Sequence, residues 1–143
     1  MSNIDAVKAQ QAAWRAGDWD AVAAMLTDDF VFSGPVPQPL NKAAFIGLGK
    51  AILAAIPDWD FHMHDFREEG DTVYATDAIT GTHTGTLAAI PGVPPVAATG
   101  KSIKLAESQQ IYTFRGNLVS HFEVQAPGGG VAEVYAQVGA PLS

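Results

Sequence analysis

The feature that most constrains the fold is residues 72–85, where side chains alternate with a period of two. The odd positions hold Val73, Ala75, Asp77 and Ile79, and the even positions hold one tyrosine and small side chains. Because successive side chains of a strand point to opposite faces, this pattern predicts one long strand with a largely apolar face. The same alternation places the carboxyl group of Asp77 on that face.

A carboxylate among apolar neighbours is costly, because an apolar wall destabilises the ionised form and raises the pKa unless the charge is compensated. A buried acid of this kind is what proton transfer without a cofactor requires. The structural alternative is that the face is solvated, or that Arg67 or a backbone amide satisfies the carboxylate. Asp77 is therefore the first candidate for an acid or base.

Composition narrows the class of protein. The 143 residues are 48% hydrophobic and 16% charged, which predicts a single globular domain covering residues 1–143. With 8 basic residues and a net charge of −7, the chain lacks the surface that nucleic acid or an anionic membrane requires. No apolar run is long enough to span a bilayer and no secretory leader is present, so a cytoplasmic location is expected. The absence of cysteine excludes disulfides and thiolate chemistry.

Apolar stripes at helical spacing predict four helices. The first covers residues 4–16, and the second is short and follows Asp18, a good N-cap. Asn41 caps the third, which ends before Pro57. A fourth, short helix is predicted after the glycine run that ends at residue 130.

The remaining segments favour strands and one long loop. A short strand is predicted at 30–32, a period-two alternation begins at residue 59, and residues 101–114 and 118–125 form two partner strands. The proline-rich residues 86–100 form a loop long enough to cover or edge a cavity. Helices followed by a meander of long strands predict an α+β fold, with helices packed on one face of a curved antiparallel sheet.

Several short motifs resemble a known superfamily. The opening segments Ala16-Gly17-Asp18-Trp19 and Leu26-Thr27-Asp28-Asp29-Phe30 resemble those of the nuclear transport factor 2-like superfamily. The later segments Gly81-Thr82-His83-Thr84-Gly85, Thr99-Gly100-Lys101, Arg115-Gly116-Asn117-Leu118 and Gln137-Val138-Gly139 resemble its SnoaL-like polyketide cyclase branch. The resemblance implies a cone-shaped, curved, mixed β-sheet wrapped around N-terminal helices, a cystatin-like α+β roll with a conical cavity.

The cyclases of this branch close a ring by an intramolecular aldol step, with an aspartate on the last strand as the acid or base. The matching position in this chain is Ala126, so the resemblance implies that this aspartate is replaced. Glu123 is a possible substitute, but three residues along a strand turn its side chain to the opposite face unless a bulge intervenes.

The resemblance also extends to two related enzyme types, whose catalytic residues are retained to different extents in this chain. For ketosteroid isomerases, the resemblance places the aspartate base near Gly34, where it is lost, and the oxyanion donor near Gln110, whose amide could still donate. Limonene epoxide hydrolases use an Asp-Arg-Asp relay, and residues 103–113 contain no arginine. That activity is disfavoured.

The other candidate residues each have a structural alternative. His83 lies in a glycine-flanked turn and is either a proton shuttle or a locally bonded imidazole. His121 and Glu123 share a strand face and predict an imidazole–carboxylate pair that orients a base or stabilises an edge. Further candidates are Gln110 as a catalytic hydrogen-bond donor and Trp14, Trp59, Ser108, Tyr112 and Glu123 as substrate-binding residues.

Two classes of function remain open. One is a cofactor-free acid/base enzyme, an aldol cyclase or isomerase acting on a hydrophobic carbonyl compound, and the other is a non-catalytic module that binds a ligand or dimerises. Neither a cofactor nor a metal is expected, since His62 and His64 have no nearby acid of the same strand parity beyond Asp60. Apolar residues assigned to an exposed sheet face, Leu105, Ile111 and Val124, predict a homodimer through the sheet.

Overall fold

The computed structural model describes residues 2–34, 36 and 38–142. Along this part of the chain the elements are α1 (Asn3–Ala16), α2 (Trp19–Ala24), β1 (Leu26–Ser33), β2 (Leu40–Asn41), α3 (Lys42–Ala55), β3 (His64–Glu69), β4 (Thr72–Asp77), β5 (Thr80–Thr82), β6 (Ser102–Lys104), β7 (Ser108–Arg115), β8 (Leu118–Gln125) and α4 (Val131–Gln137). None of these helices is both long and apolar enough to cross a membrane.

The helix boundaries follow local capping chemistry. The side chains of Asp18 and Asn41 each accept a hydrogen bond from the backbone N–H three residues on, at 3.2 Å and 2.9 Å. These bonds satisfy N–H groups that have no partner within the helix. Gly17 closes α1 in the left-handed conformation at φ 72°, which glycine adopts without steric cost. The predicted helices and their caps are confirmed.

The main sheet has six strands in the order β2-β1-β8-β7-β4-β3. β1 and β8 run parallel and the other neighbours run antiparallel, so the sheet is mixed. Register shifts interrupt the β1–β8, β3–β4 and β7–β8 pairings, and irregularities of this kind bend a sheet. The helices α1, α2 and α3 contact one face of this curved sheet, its inner face. The predicted α+β class is confirmed.

The inner face changes from apolar to polar along the strands. Directly paired residues share a face, so each set of partners forms a row. The successive rows are Phe32, Phe122, Tyr112 and Val73; then Val124, Gln110 and Ala75; then Ser108 and Asp77. The polar side chains therefore collect at the end where β4 finishes and β7 begins.

Several predicted strand boundaries were wrong. Residues 72–85 form two strands, β4 and β5, and residues 101–114 likewise form β6 and β7; β5 and β6 pair in a separate two-stranded sheet. The strand predicted at 30–32 is longer, covering β1, and the alternation that begins at residue 59 becomes a strand only in β3.

The chain leaves the main sheet directly after Asp77. The backbone N–H of Ala78 donates to the carbonyl of Phe61 at 2.9 Å and makes no bond to β7. Gly81 then crosses the end of α3 so closely that a Cβ would lie 2.3 Å from Cγ2 of Ile56. Only a glycine fits at this crossing. The chain bends away between Asp77 and Gly81, so Asp77 is the last residue of β4 in the main sheet.

Candidate active site

A cavity of about 110 Å³, called the chamber below, lies between the inner face of the sheet and helices α1 and α3. Its wall is mostly apolar, with six aromatic residues: Trp14, Phe32, Phe45, Trp59, Phe61 and Phe122. The polar and charged side chains in the wall are Gln10, Gln11, Asp77, Ser108, Gln110 and Glu133. An apolar cavity with a few convergent polar groups is typical of a small-molecule site.

The carboxyl group of Asp77 is buried in this wall, with the residue only 1% exposed. Its Oδ1 accepts a hydrogen bond from the Ser108 hydroxyl at 2.5 Å, and its Oδ2 accepts one from Nε2 of Gln110. Arg67, the cation considered from the sequence, instead pairs with Glu69 at 3.6 Å. Among the described residues no lysine or arginine forms an ion pair with Asp77. The carboxylate is compensated by the neutral donors Ser108 and Gln110 and, to a smaller extent, by the positive charge of protonated His64.

Burial raises the pKa of the Asp77 carboxyl above its ordinary value, because the low-dielectric wall disfavours the charged form. The hydrogen bonds from Ser108 and Gln110 act in the opposite direction, since they stabilise the carboxylate. The net effect is a raised pKa. This shift moves the carboxyl group toward the pH range in which a general base exchanges protons.

A chain of hydrogen bonds behind the chamber leads to Asp77. Nε2 of Gln11 donates to the Tyr112 hydroxyl, which donates to Oε1 of Gln110 at 2.7 Å, and Gln110 donates to Asp77. Burial raises the pKa of Tyr112 well above its ordinary value, so its hydroxyl keeps the proton that it donates. Every donor points toward the carboxylate, and such chains hold their members in one orientation.

The opposite wall carries polar atoms that have no partner. Oε1 of Gln10, Oε1 of Gln11 and Nε1 of Trp59 are buried and form no hydrogen bond within the described part of the chain. These are two acceptors and one donor, all from residues that line the chamber. A buried polar atom without a partner costs free energy. A ligand that carries both a donor and an acceptor would satisfy both kinds.

Five of the residues predicted from the sequence meet at the chamber. Asp77, Ser108, Gln110, Trp14 and Trp59 all line it, while Tyr112 lies behind Gln110 in the hydrogen-bond chain. The amide of Gln110 has one N–H committed to Asp77. The main contact of the Gln110 amide is therefore its hydrogen bond to the Asp77 carboxylate.

Three predicted residues lie outside the chamber wall. His83 is fully buried, but its Nδ1 accepts from the backbone N–H of Thr99 at 3.3 Å and lies 2.9 Å from the Thr99 hydroxyl. Nε2 of His121 bonds to the Ser33 hydroxyl at 2.7 Å, and Glu123 accepts from the neighbouring Gln125. The predicted His121–Glu123 pair is therefore not formed. Catalytic or binding roles for these three residues stay predictions.

Three polar or charged residues of the chamber wall were missed from the sequence. Gln10 and Gln11 are one helical turn from both Val7 and Trp14, so a polar interruption of the buried stripe of α1 was the available signal. Glu133 accepts from the backbone N–H of Ala106 at 3.1 Å, and nothing in the α4 sequence distinguishes it. Ala126 also lines the chamber, at the position where the family resemblance implies an aspartate.

The assignment of apolar residues to an exposed sheet face was partly wrong. Leu105 and Val124 line the chamber. The pairing of Val124 with Gln110 turns it inward, and Leu105 lies between β6 and β7, where its backbone N–H donates to the carbonyl of Ile79. Ile111 is half-buried and lies on the outer face, opposite Tyr74 and Glu123.

The described residues contain no group of three or more His, Cys, Asp or Glu side chains arranged to hold a metal ion. His62 instead contacts the Thr80 hydroxyl through Nε2 at 2.8 Å, and Nδ1 of His64 contacts the backbone carbonyl of His62 at 2.9 Å.

Solved structures with the same fold are numerous. AclR, a candidate hydroxylase from Streptomyces galilaeus, has a TM-score of 0.76 at 19% identity, and the match covers 96% of this chain and 80% of AclR. A candidate SnoaL-like polyketide cyclase from Jannaschia sp. CCS1 has a TM-score of 0.76 at 20% identity, with coverage of 97% and 93%. An NTF2-like protein of unknown function from Burkholderia pseudomallei has a TM-score of 0.71 at 17% identity, with coverage of 98% and 100%.

At these identities the structural matches show a shared fold and no more. No functionally curated protein is significantly similar in sequence. The family assignment comes from the sequence itself, because residues 7–122 match the model of the SnoaL-like domain. The chain therefore belongs to the SnoaL-like domain family.

Proposed function

We propose that this chain is a cofactor-free acid/base enzyme, of the aldol cyclase or isomerase type, that acts on a hydrophobic carbonyl compound bound in the chamber. The observation that carries the proposal is Asp77, whose buried carboxyl group faces an apolar chamber, forms no ion pair with a described lysine or arginine, and has a pKa raised by burial. The family match supports it, because SnoaL-like domains bind small-molecule substrates, with cyclase or isomerase chemistry as the kind of function suggested.

Asp77 acts as the general base. An oxygen of its carboxylate takes a proton from the carbon next to the substrate carbonyl, and the electron pair of that C–H bond forms an enolate. Ser108 and Gln110 hold the carboxylate in place, since each donates to one of its oxygens. Gln110 is thus a positioning residue in this scheme and not the oxyanion donor suggested by the sequence.

The enolate oxygen requires a hydrogen-bond donor as its charge develops. Nε1–H of Trp59 is buried in the chamber wall and has no partner in the described structure, which suits it to this role. In a cyclase the enolate carbon attacks a second carbonyl of the same molecule, and the new alkoxide takes the proton from Asp77. In an isomerase Asp77 returns the proton to a different carbon of the enolate.

The test is proton exchange in deuterated water, followed by NMR at the carbon next to the carbonyl. Ligands are first selected by thermal shift from a panel of aromatic ketones and polyketide mimics. Asp77→Asn is expected to slow exchange by about 10²–10⁴-fold, the usual contribution of a positioned general base. Asp71→Asn makes the same chemical change at the exposed turn before β4 and is expected to have no effect. Equal exchange by the wild type and Asp77→Asn would refute the proposal.

A non-catalytic ligand-binding module is the second candidate function. Its support is Ala126, which presents a methyl group to the chamber where the family resemblance implies the catalytic aspartate. In that case the selected ligands bind, but the protein catalyses no exchange above the buffer rate. The exchange measurement therefore separates the two functions.

We also propose that two copies associate through the outer face of the main sheet. Tyr74 and Ile111 are paired neighbours on that face, and Val31, 38% exposed, lies on the same face of β1. Apolar side chains on an open sheet face are suited to a two-fold contact. Sedimentation at micromolar concentration is expected to give the mass of two chains for the wild type and of one for Ile111→Lys; a single-chain mass for the wild type contradicts the dimer.

A further inference from the structure

The chamber is too small to hold the whole of a large substrate. Its volume of about 110 Å³ is below the range of about 300–1,000 Å³ that is usual for pockets enclosing drug-sized ligands. A carbonyl group and a few carbons fit beside Asp77. The rest of a larger molecule must lie elsewhere.

A second, larger cavity adjoins the chamber. It has a volume of about 1260 Å³ and runs between α3, the loop at residues 88–93 and the start of α4. We call it the groove. Among its described lining residues Gln38 alone has a polar side chain, and none is charged. Leu142 lies in it and is 39% exposed, so the groove presents open apolar surface to the solvent.

The chamber and the groove are adjacent and are separated by a shared wall. Val36, Leu48 and Val131 line both cavities, and all three side chains are half-buried. A wall made of three aliphatic side chains from three separate segments can open by rotation of those side chains. A chain of methylene groups could then run from the chamber into the groove.

One of the two glycines of α3 points to the same use of the groove. At Gly49 a Cβ would meet Nε1 of Trp14 at 2.8 Å, so packing explains the glycine. At Gly47 a Cβ would meet no described atom within 4 Å, although glycine in the middle of a helix is unfavourable. Gly47 lines the groove. A side chain there would fill the groove without disturbing the fold.

We propose that the groove is a second binding subsite, which holds the extended apolar tail of a substrate whose carbonyl end lies in the chamber. The substrate class is then a ketone or related carbonyl compound with a long, uncharged hydrocarbon portion. This inference rests on the proposed function for the identity of the carbonyl end. The absence of charged side chains along the described groove lining argues against a charged tail, because nothing there would pair with its charge.

The experiment measures the affinity of a series of straight-chain methyl ketones, from butanone to dodecanone, by quenching of tryptophan fluorescence. Trp14 and Trp59 line the chamber and report on its occupancy. Each methylene group added beyond the chamber is expected to tighten binding about fourfold until the groove is filled. Gly47→Leu should bind butanone as the wild type does but lose this gain, while its melting temperature stays equal or rises.

Ala43→Leu provides the matched control, because Ala43 is exposed on the same helix and lies outside the groove lining. It should keep the full dependence on tail length. An affinity that does not change with tail length overturns the subsite, as does a Gly47→Leu variant that loses the same factor for short and long ketones.

The failure of this inference differs from that of the proposed function. Asp77→Asn is expected to retain the dependence on tail length, since that dependence measures binding and not proton transfer. A flat length series with normal proton exchange removes the groove subsite alone. A normal length series with equal exchange in the wild type and Asp77→Asn removes the acid/base role alone.

Discussion

The two walls of the chamber treat their polar groups in opposite ways. On the sheet wall, Asp77, Ser108, Gln110 and Tyr112 form one connected set of hydrogen bonds. The other wall, which we call the helix wall, contains Gln10 and Gln11 of α1 and Trp59, which follows α3. Oε1 of each glutamine and Nε1 of Trp59 have no partner in the described structure, although Nε2 of Gln11 donates to Tyr112. The first wall is complete without a ligand, and the second is not.

This difference separates the two tasks of a binding site. Satisfied buried polar groups hold their own geometry and contribute to folding, whereas unpartnered ones destabilise the free protein. The sheet wall thus keeps the carboxyl group of Asp77 in a fixed position before any substrate arrives. The helix wall gains its hydrogen bonds only when a ligand supplies them. Substitutions in the two walls should therefore change the free energy of unfolding with opposite signs.

The largest expected effect on stability is at the centre of the sheet wall. Gln110→Leu leaves Oδ2 of Asp77 buried without a partner and the Tyr112 hydroxyl without an acceptor for its proton, although Gln11 still donates to that hydroxyl, so the free energy of unfolding should fall by about 3 kcal/mol. Urea unfolding measures this loss. Gln109→Leu is the matched control, because Gln109 directly precedes Gln110 in β7 and is exposed. This variant should lose less than about 1 kcal/mol of unfolding free energy. Similar losses in both variants would show that the buried connections are not strong.

A smaller loss of stability is expected at Tyr112, which lies between Gln11 and Gln110 in the same chain of hydrogen bonds. Tyr112→Phe keeps the ring, which stacks on Phe122 at a centroid distance of 4.3 Å, and removes only the hydroxyl. Gln11 and Gln110 then each lose a partner, which should lower the free energy of unfolding by about 1–2 kcal/mol. Tyr74→Phe on the outer face is the control and should be near neutral. A neutral Tyr112→Phe would mean that the hydroxyl contributes nothing to the sheet wall.

The helix wall should respond in the opposite direction. Gln10 is 2% exposed and its Oε1 has no partner, so Gln10→Met should raise the free energy of unfolding by about 1 kcal/mol. The same variant should weaken the binding of hydroxyl-bearing ketones, because it removes an acceptor from the chamber. Urea unfolding and a binding titration measure the two effects. If Gln10→Met is destabilising, Oε1 of Gln10 is already satisfied in the free protein and the two walls do not differ.

The sheet wall could be predicted from the sequence, and the reason is geometric. The alternation of Val73, Ala75 and Asp77 assigns a face to each side chain, so the burial of Asp77 follows from its neighbours. The same pattern could not show where the strand ends. Ile79 and His83 remain buried beyond the break after Asp77, because alternation records burial and not the hydrogen-bond partner. In the sequence, Gly81 itself was the local sign of the bend, because the crossing there leaves no room for a Cβ.

The two glutamines of the helix wall and the choice of face on β8 were not predicted from the sequence. Gln10 and Gln11 are polar residues of a helix with small alanines, a pattern typical of a solvated face, and only the position of α1 over the sheet buries Gln10. The direction of β8 depends on its register with β7, which shifts between Thr113 and Phe114. That register turns Val124 into the chamber and leaves His121 and Glu123 out of it.

The smallest expected effect concerns how the stability of the sheet wall depends on pH. Burial raises the pKa of Asp77 in the folded chain above the unfolded value, so between these two values the folded state binds more protons than the unfolded state. Stability from this group is therefore fully present below the unfolded pKa and is lost as the pH rises through the folded pKa. Asp77→Asn cannot ionise and escapes this loss, while its amide can still accept from Gln110 and donate to Ser108.

The free energy of unfolding of the wild type, relative to Asp77→Asn, should thus decrease as the pH is raised from acid to neutral, in urea titrations at a series of pH values. Asp71→Asn removes an exposed carboxyl group from the turn before β4 and should give a nearly constant difference. A constant difference for Asp77→Asn as well would mean that its carboxyl group titrates as in the unfolded chain. The hydrogen bonds from Ser108 and Gln110 would then fully offset the cost of burial, and the sheet wall would hold a carboxylate with no raised pKa to use in proton transfer.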